Sequence, residues 1–227
     1  MMFHMRSIWL LLFVISFQLL KAQASYDSSF RFYYYDQKLS MFEQMPTPKK
    51  AMVWLGDSIT DGGEWSELFP AYNTLNRGIS SDNTFGVLNR LYEVVSRKPQ
   101  KLFILIGIND IARNIPDEVI LRNYRKIIDT IQKQSPVTKI YVQSLLPTNN
   151  NFTQFKNHQN KTDHVLSVNE GLKKLCTEKK ITYINLYDAF INSDGKLNEK
   201  YTNDGLHLTG EGYRYWKQLL TNGNYLN

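Results

Sequence analysis

Ala51-Met52-Val53-Trp54-Leu55-Gly56-Asp57-Ser58-Ile59-Thr60 carries five consecutive apolar residues into a glycine, an acid and a serine. Five is a strand's length and too short for a buried helix, and the glycine marks where the run breaks. The same pattern recurs down the chain. Residues 102–106 form a continuous apolar run closed by Gly107-Ile108-Asn109-Asp110. Residues 140–146 and 181–186 give two more runs, and residues 74–79 a weaker one. Between the runs the period turns helical. Phe85, Leu88, Leu91, Tyr92 and Val95 share one face, as do Ile120, Tyr124, Ile127, Ile128 and Ile131, and later Val165, Val168, Leu172 and Leu175. A last helix starts near Gly210 and carries Tyr213, Trp216 and Leu220. Strands that are apolar throughout belong to a parallel sheet covered on both faces. Alternation of strand and helix supplies the crossovers. The fold class is therefore α/β, with a parallel sheet of about five strands between two helical layers. Residues 147–163, rich in Asn, Thr and Gln, read as a long loop.

At 227 residues the chain holds one or at most two domains, and no internal repeat or low-complexity linker divides it. Hydrophobic residues make up 42% and charged residues 21%, a globular balance. Cys176 is the only cysteine, so an intrachain disulfide and a cysteine-rich zinc site are excluded. Next to Leu175 on an apolar helix face, it reads as a buried thiol. The formal charge of +6 comes from basic residues dispersed among acids, which speaks for solubility and against nucleic acid as a partner. The first 24 residues read as a signal peptide rather than as fold. Arg6 precedes an apolar stretch over residues 8–20, and Ala22-Gln23-Ala24 offers small residues two apart for cleavage. The stretch is short for a membrane span. No cysteine follows it to take a lipid, so no stable membrane anchor is expected. Removal of residues 1–24 takes away Arg6 and Lys21 and moves the charge from +6 to +4. Residues 25–227 then form a single domain, periplasmic or secreted. The lack of disulfides suits a bacterial periplasm better than a eukaryotic secretory route. Two glycosylation sequons, at Asn151 and Asn160, match a pattern common by chance.

In open parallel sheets, ligands bind where the strands end at their carboxyl edge. The run over residues 51–55 is followed there by Gly56-Asp57-Ser58, the run over residues 74–79 ends there in Asn76-Arg77-Gly78-Ile79, and the run over residues 102–106 is followed by Gly107-Ile108-Asn109-Asp110. Ser58 in a glycine-flanked turn can present its hydroxyl above the sheet; alone, it reads more readily as a helix N-cap, the commoner fate of a serine after a strand. A serine nucleophile needs a base. After the signal segment the chain offers only His158, His164 and His207. His158 and His164 border the polar loop and are expected to face solvent. His207 lies in Asn203-Asp204-Gly205-Leu206-His207, where Asp204, three residues earlier, can meet its Nδ1 within one turn and stabilise the imidazolium. Asp204 also reads as a turn residue. Acyl transfer further needs donors for the developing oxyanion. Asn109 offers a side-chain amide, and Gly78 and Ser58 offer backbone N–H groups. Asn109 as a turn residue and Gly78 as backbone relief are the plainer alternatives. Asp57 is expected to brace the turn through backbone hydrogen bonds. Trp54 is expected in strand core, and Trp65 and Trp216 in helix packing.

These blocks, Gly56-Asp57-Ser58-Ile59-Thr60, Asn76-Arg77-Gly78, Gly107 to Asp110 and Asp204 to His207, stand in the order that names the SGNH subgroup of the GDSL esterase and lipase superfamily. The sequence resembles that subgroup over nearly all of its length from Met52, with no departure at the four positions. The stretch from Trp54 to Phe69 with Asn76 to Ser80 looks most like the branch holding platelet-activating-factor acetylhydrolase subunits and bacterial sialate or sugar O-acetylesterases. The resemblance implies a flavodoxin-like three-layer α/β/α sandwich and a serine esterase without metal or other cofactor. Ser58, Asp204 and His207 would be catalytic, with Ser58, Gly78 and Asn109 as the oxyanion hole.

The loops expected around the site are polar: Arg113-Asn114, residues 149–161 and residues 192–203. Phe152, Phe155 and Tyr201 can stack on a sugar ring. The favoured substrate is a short-chain ester, an acetyl group on a carbohydrate such as sialic acid, whether small molecule or glycan. A lysophospholipid or other lipid ester is the runner-up. A secreted carbohydrate-binding protein on a degenerate esterase fold is the reading from a different class, and the intact blocks oppose it. The sequence does not specify an oligomeric state.

Overall fold

The computed structural model describes residues 30–227, so the signal-peptide reading lies outside the described residues. In chain order the main elements are helix α1 (Tyr33–Gln44), strand β1 (Met52–Gly56), the short helices α2 (Ser58–Asp61) and α3 (Trp65–Leu68), β2 (Thr74–Gly78), α4 (Thr84–Ser96), β3 (Lys101–Leu105), α5 (Ile108–Ala112), α6 (Asp117–Gln134), β4 (Lys139–Gln143), α7 (Thr162–Lys179), β5 (Thr182–Ile184), α8 (Tyr187–Phe190) and α9 (Gly210–Asn222). The five strands pair in parallel in the order β2-β1-β3-β4-β5. This is the flavodoxin-like order, with its switch point between β1 and β3.

Period-two alternation explains the two layers around the sheet. Trp54, Phe103 and Tyr141 occupy matching registers on β1, β3 and β4 and stack in a row, with centroids 4.6 Å apart at each step. Trp65 of α3 stacks on Trp54 at 3.9 Å, and Trp216 of α9 meets Trp65 edge-on at 5.0 Å. Each buried ring of this size removes a large apolar area from water, and the stacked and edge-on geometry adds about 0.5–1.5 kcal/mol per pair. The remaining layer is built by α4, α6 and α7 lying side by side. Ile120, Tyr124, Ile127, Ile128 and Ile131 are all buried there, as are Val165, Val168, Leu172, Leu175 and Cys176.

Three expectations need correction. In α4 the inward face is Val87, Arg90, Leu91 and Val94, whereas Tyr92 is 53% exposed. Arg90 and Glu93 are drawn inside by ion pairs to Asp82 and Arg77, at 2.9 Å each, so charge occupies positions an apolar pattern leaves out. Strands β4 and β5 stop earlier than their apolar runs. The Ser144 hydroxyl accepts from the Leu186 and Tyr187 N–H groups, and Asn169 accepts from the Leu145 N–H, so side chains take over where the ladder ends. Helix α1 was not expected at all. Its buried Tyr35, Leu39 and Phe42 form a small core with Ile79, and the Tyr35 hydroxyl donates to the Gly86 carbonyl at 2.8 Å.

Candidate active site

The carboxyl edge of the sheet gathers the loops after β1, β2 and β3. Asp57 accepts the Ile59 N–H at 3.0 Å and so caps α2, which starts at Ser58. Burial pushes the Asp57 carboxyl up to about 8 against the pull of that hydrogen bond, which favours its neutral form. Burial likewise raises Asp110, to about 7, while its bonds to the Thr84 hydroxyl and N–H tie the β3 loop to the start of α4.

The turn before α9 reaches back to this edge. Asp204 Oδ1 accepts the Leu206 and His207 N–H groups at 2.9 and 2.8 Å, closing the turn and leaving Oδ2 for the imidazole. His207 Nδ1 lies 2.8 Å from Asp204 Oδ2, and His207 Nε2 lies 2.9 Å from Ser58 Oγ, across 149 residues of sequence. Partial burial acts to raise the Asp204 carboxyl, but the two backbone donors and the His207 ring outweigh it and hold it below its ordinary value. With a carboxylate on Nδ1, the imidazole presents Nε2 as an acceptor to the Ser58 hydroxyl. The geometry can therefore move a proton from Ser58 to His207.

Of the donors expected around Ser58, Asn109 keeps one side-chain N–H free of the bonds described below, whereas the Gly78 N–H is already engaged. The Gly78 N–H donates to Asn76 Oδ1 at 2.8 Å. What Gly78 supplies is closeness: a Cβ there would lie 2.1 Å from the Asp61 nitrogen, so β2 can lie against α2 only with glycine. The loop beyond it consumes its N–H groups one by one. Ile79 donates to the Gly56 carbonyl, Ser80 to Asp61 and Asp82 to the Ile79 carbonyl. The Ser81 N–H has no acceptor among the described residues, and Ser81 has a φ of +67°. The Ser58 N–H, at the first position of α2, is likewise unengaged among the described residues. Nothing in the sequence marks Ser81 as leaving an N–H free, since turns with a positive φ favour Gly or Asn.

Asn109 Nδ2 donates to the Asp82 carbonyl at 2.8 Å and keeps its second N–H. His158, expected in solvent, is half-buried with Nε2 at 2.9 Å from Asn109 Oδ1; its loop folds inward over the site. His164 does face solvent, 2.9 Å from Asp117. Phe155 packs edge-on against His207 at 4.8 Å and is 43% exposed. Tyr201 is stacked on Tyr215 at 4.8 Å and edge-on to Phe190, so its ring is already covered. The polar loops hold one another: Asn149 donates to the Leu197 carbonyl and to Glu199, its N–H bonds the Gly205 carbonyl, and Lys196 reaches Asn151. One feature that loop polarity did not foretell is a cleft of about 520 Å³ between Phe30, Phe32, Tyr33 and Tyr34 on one side and Ser80, Ser81 and Arg113 on the other. No group of three or more His, Cys, Asp or Glu able to hold a metal occurs among the described residues.

The GDSL-like lipase/acylhydrolase family model matches residues 54–215. The human platelet-activating factor acetylhydrolase IB subunit alpha2 is 31% identical over 168 residues, covering 71% of this chain and 70% of that protein. Among solved structures, a Streptococcus pneumoniae protein described as a candidate platelet activating factor superposes with a TM-score of 0.78 at 24% identity, over 96% of this chain and 99% of its own. A GDSL-like lipase from Bacteroides thetaiotaomicron gives a TM-score of 0.74 at 24% identity, over 85% and 97%. At that identity the two structures speak to the fold.

Proposed function

The chain belongs to the GDSL-like lipase/acylhydrolase family and is an ester hydrolase, and from that premise we propose that it hydrolyses short-chain, acetyl esters through an acyl-enzyme on Ser58. The observation that carries this is the unbroken relay from Asp204 through His207 to Ser58 Oγ, at 2.8 and 2.9 Å. Ser58 Oγ attacks the ester carbonyl as its proton passes to His207 Nε2. Asp204 stabilises the imidazolium that results. The tetrahedral oxyanion takes the second N–H of Asn109, the N–H of Ser58 and, in place of the expected Gly78, the N–H of Ser81. The intermediate collapses as the leaving alcohol takes the proton from His207. Water then attacks the acyl-enzyme by the same route, gives its proton to His207, and Ser58 recovers it as the acid leaves.

The acetyl reading draws on the loops, whose polar groups are committed to each other, and on the acetylhydrolase name of the human relative. Phe155, exposed beside His207, supplies a ring on which a sugar bearing the acetyl group can stack, as O-acetylated sialic acid would. The aromatic cleft beside Ser81 favours a second reading, a lipid ester. Export by cleavage after residues 1–24 belongs to the same proposal. No described helix is long and apolar enough to cross a membrane.

The test is Ser58→Ala. Hydrolysis of p-nitrophenyl acetate and labelling by a fluorophosphonate should both vanish while the thermal transition stays, because a methyl group fits where a hydroxymethyl did. Labelling that persists at another serine would sink the assignment.

A further inference from the structure

His158 sits 49 residues from Asn109 in sequence, on the loop between β4 and α7, yet its Nε2 lies 2.9 Å from Asn109 Oδ1. The proton positions follow from the partners. The Asp82 carbonyl can only accept, so the Asn109 atom 2.8 Å from it is the NH₂ group. The atom turned to His158 is then the amide oxygen, which can only accept, so His158 Nε2 carries the proton. His158 Nδ1 is buried and has no partner among the described residues. As a bare lone pair, it costs less to leave unpaired than a buried N–H on a cation would. Burial, then the proximity of His207 and Arg113, lowers the readiness of this ring to take a second proton. His158 is thus a neutral donor with one fixed tautomer.

The Asn109 amide is planar and has two anchors. One N–H meets the Asp82 carbonyl and the oxygen meets His158, which fixes the plane and so the direction of the remaining N–H. With the Asp82 anchor alone, a single hydrogen bond holds the last torsion, which is broad for Asn, and leaves the amide plane less sharply defined. We infer that His158 is a positioning residue for the oxyanion hole: by donating to Asn109 Oδ1 it aims the free N–H of Asn109 at the developing charge. This rests on the reading of Asn109 as an oxyanion donor. The gain from such donors lies in their being oriented before charge develops. The loop carrying His158 has other ties, from Asn149 to Leu197 and Glu199 and from Thr148 to the His158 carbonyl, so removing the imidazole does not untether it.

A double-mutant cycle on p-nitrophenyl acetate tests the inference. His158→Ala should lower kcat about tenfold, a part of the 10²–10³ that deleting a donor costs, with KM within twofold. His158→Gln, whose amide N–H can replace the imidazole N–H, should restore most of it and covers the case in which the alanine variant folds poorly. In an Asn109→Ala background, adding His158→Ala should change kcat by less than twofold, because the amide it orients is gone. An equal tenfold loss in both backgrounds, or a single variant with unchanged kcat, overturns the inference. An Asn109→Ala variant with normal kcat overturns instead the reading on which it rests, so the two failures are distinguishable.

Discussion

Ser81 occupies the third position of a turn closed by the Asp82 N–H to the Ile79 carbonyl at 3.0 Å, with a φ of +67°. That position in a type II turn favours Gly or Asn. An L side chain there costs about 1–2 kcal/mol. Strain of this kind is kept where the surroundings enforce it and often where the backbone has work to do. Ser81→Gly should therefore stabilise the protein by about 0.5 kcal/mol, the relief of strain less the added freedom of the unfolded glycine. Its N–H remains, so kcat should stay within twofold. A denaturant titration and initial rates check both, and a hundredfold loss of kcat would mean that the hydroxyl itself takes part. The contrast with the other site residues shows what a sequence can reveal. Ser58, Asn109, Asp204 and His207 were legible because each lies in a short block after a predicted strand or before the last helix. Ser81 and His158 were not, since the role proposed for one runs through a backbone amide with no residue preference suited to it, and that for the other through a contact 49 residues away.

At the scale of elements, the position of Ser58 depends on how tightly β2 is pressed against α2. At Gly78 a methyl group would meet Asp61 N, Asp61 Cα and the Thr60 carbonyl carbon at 2.1, 2.5 and 2.6 Å, all backbone that cannot rotate away. Gly78→Ala should push α2 aside, at about 1–3 kcal/mol for overpacking, and should lower kcat through the displacement of Ser58. Thermal denaturation and steady-state kinetics read the two effects; a variant with wild-type stability would mean that the contact is looser than it stands. Asp61 reinforces the same joint, accepting from Tyr34, Lys38 and Ser80 and so linking α1, α2 and the loop after β2. The strands of this region were legible because buried parallel strands are continuously apolar. Helix α1 was not, although Tyr35, Leu39 and Phe42 have helical spacing, because Tyr33 and Met41 put apolar side chains on its exposed side and blur the stripe.

At the scale of the whole molecule the open question is which chain length the site accepts, and two surfaces compete to set it. The polar loops around residues 149–160 and 192–199 are bonded to each other and cannot solvate an alkyl chain. The aromatic cleft could, at about 0.8 kcal/mol for each methylene it buries. Its end is occupied, however, by Arg113, whose guanidinium lies over the Phe30 ring at 4.5 Å. A chain entering past Ser81 would strip water from that cation without offering a hydrogen bond in return, a cost that offsets several methylenes. For one leaving group, kcat/KM should therefore fall from acetyl to butyryl to octanoyl esters, measured below the micelle concentration so that aggregation does not mimic selectivity. Phe32→Ala, which opens the cleft wall, should leave the slope of that series unchanged. A series that rises to octanoyl and flattens in Phe32→Ala would place the acyl chain in the cleft and put the lipid-ester reading ahead of the sugar-acetate one.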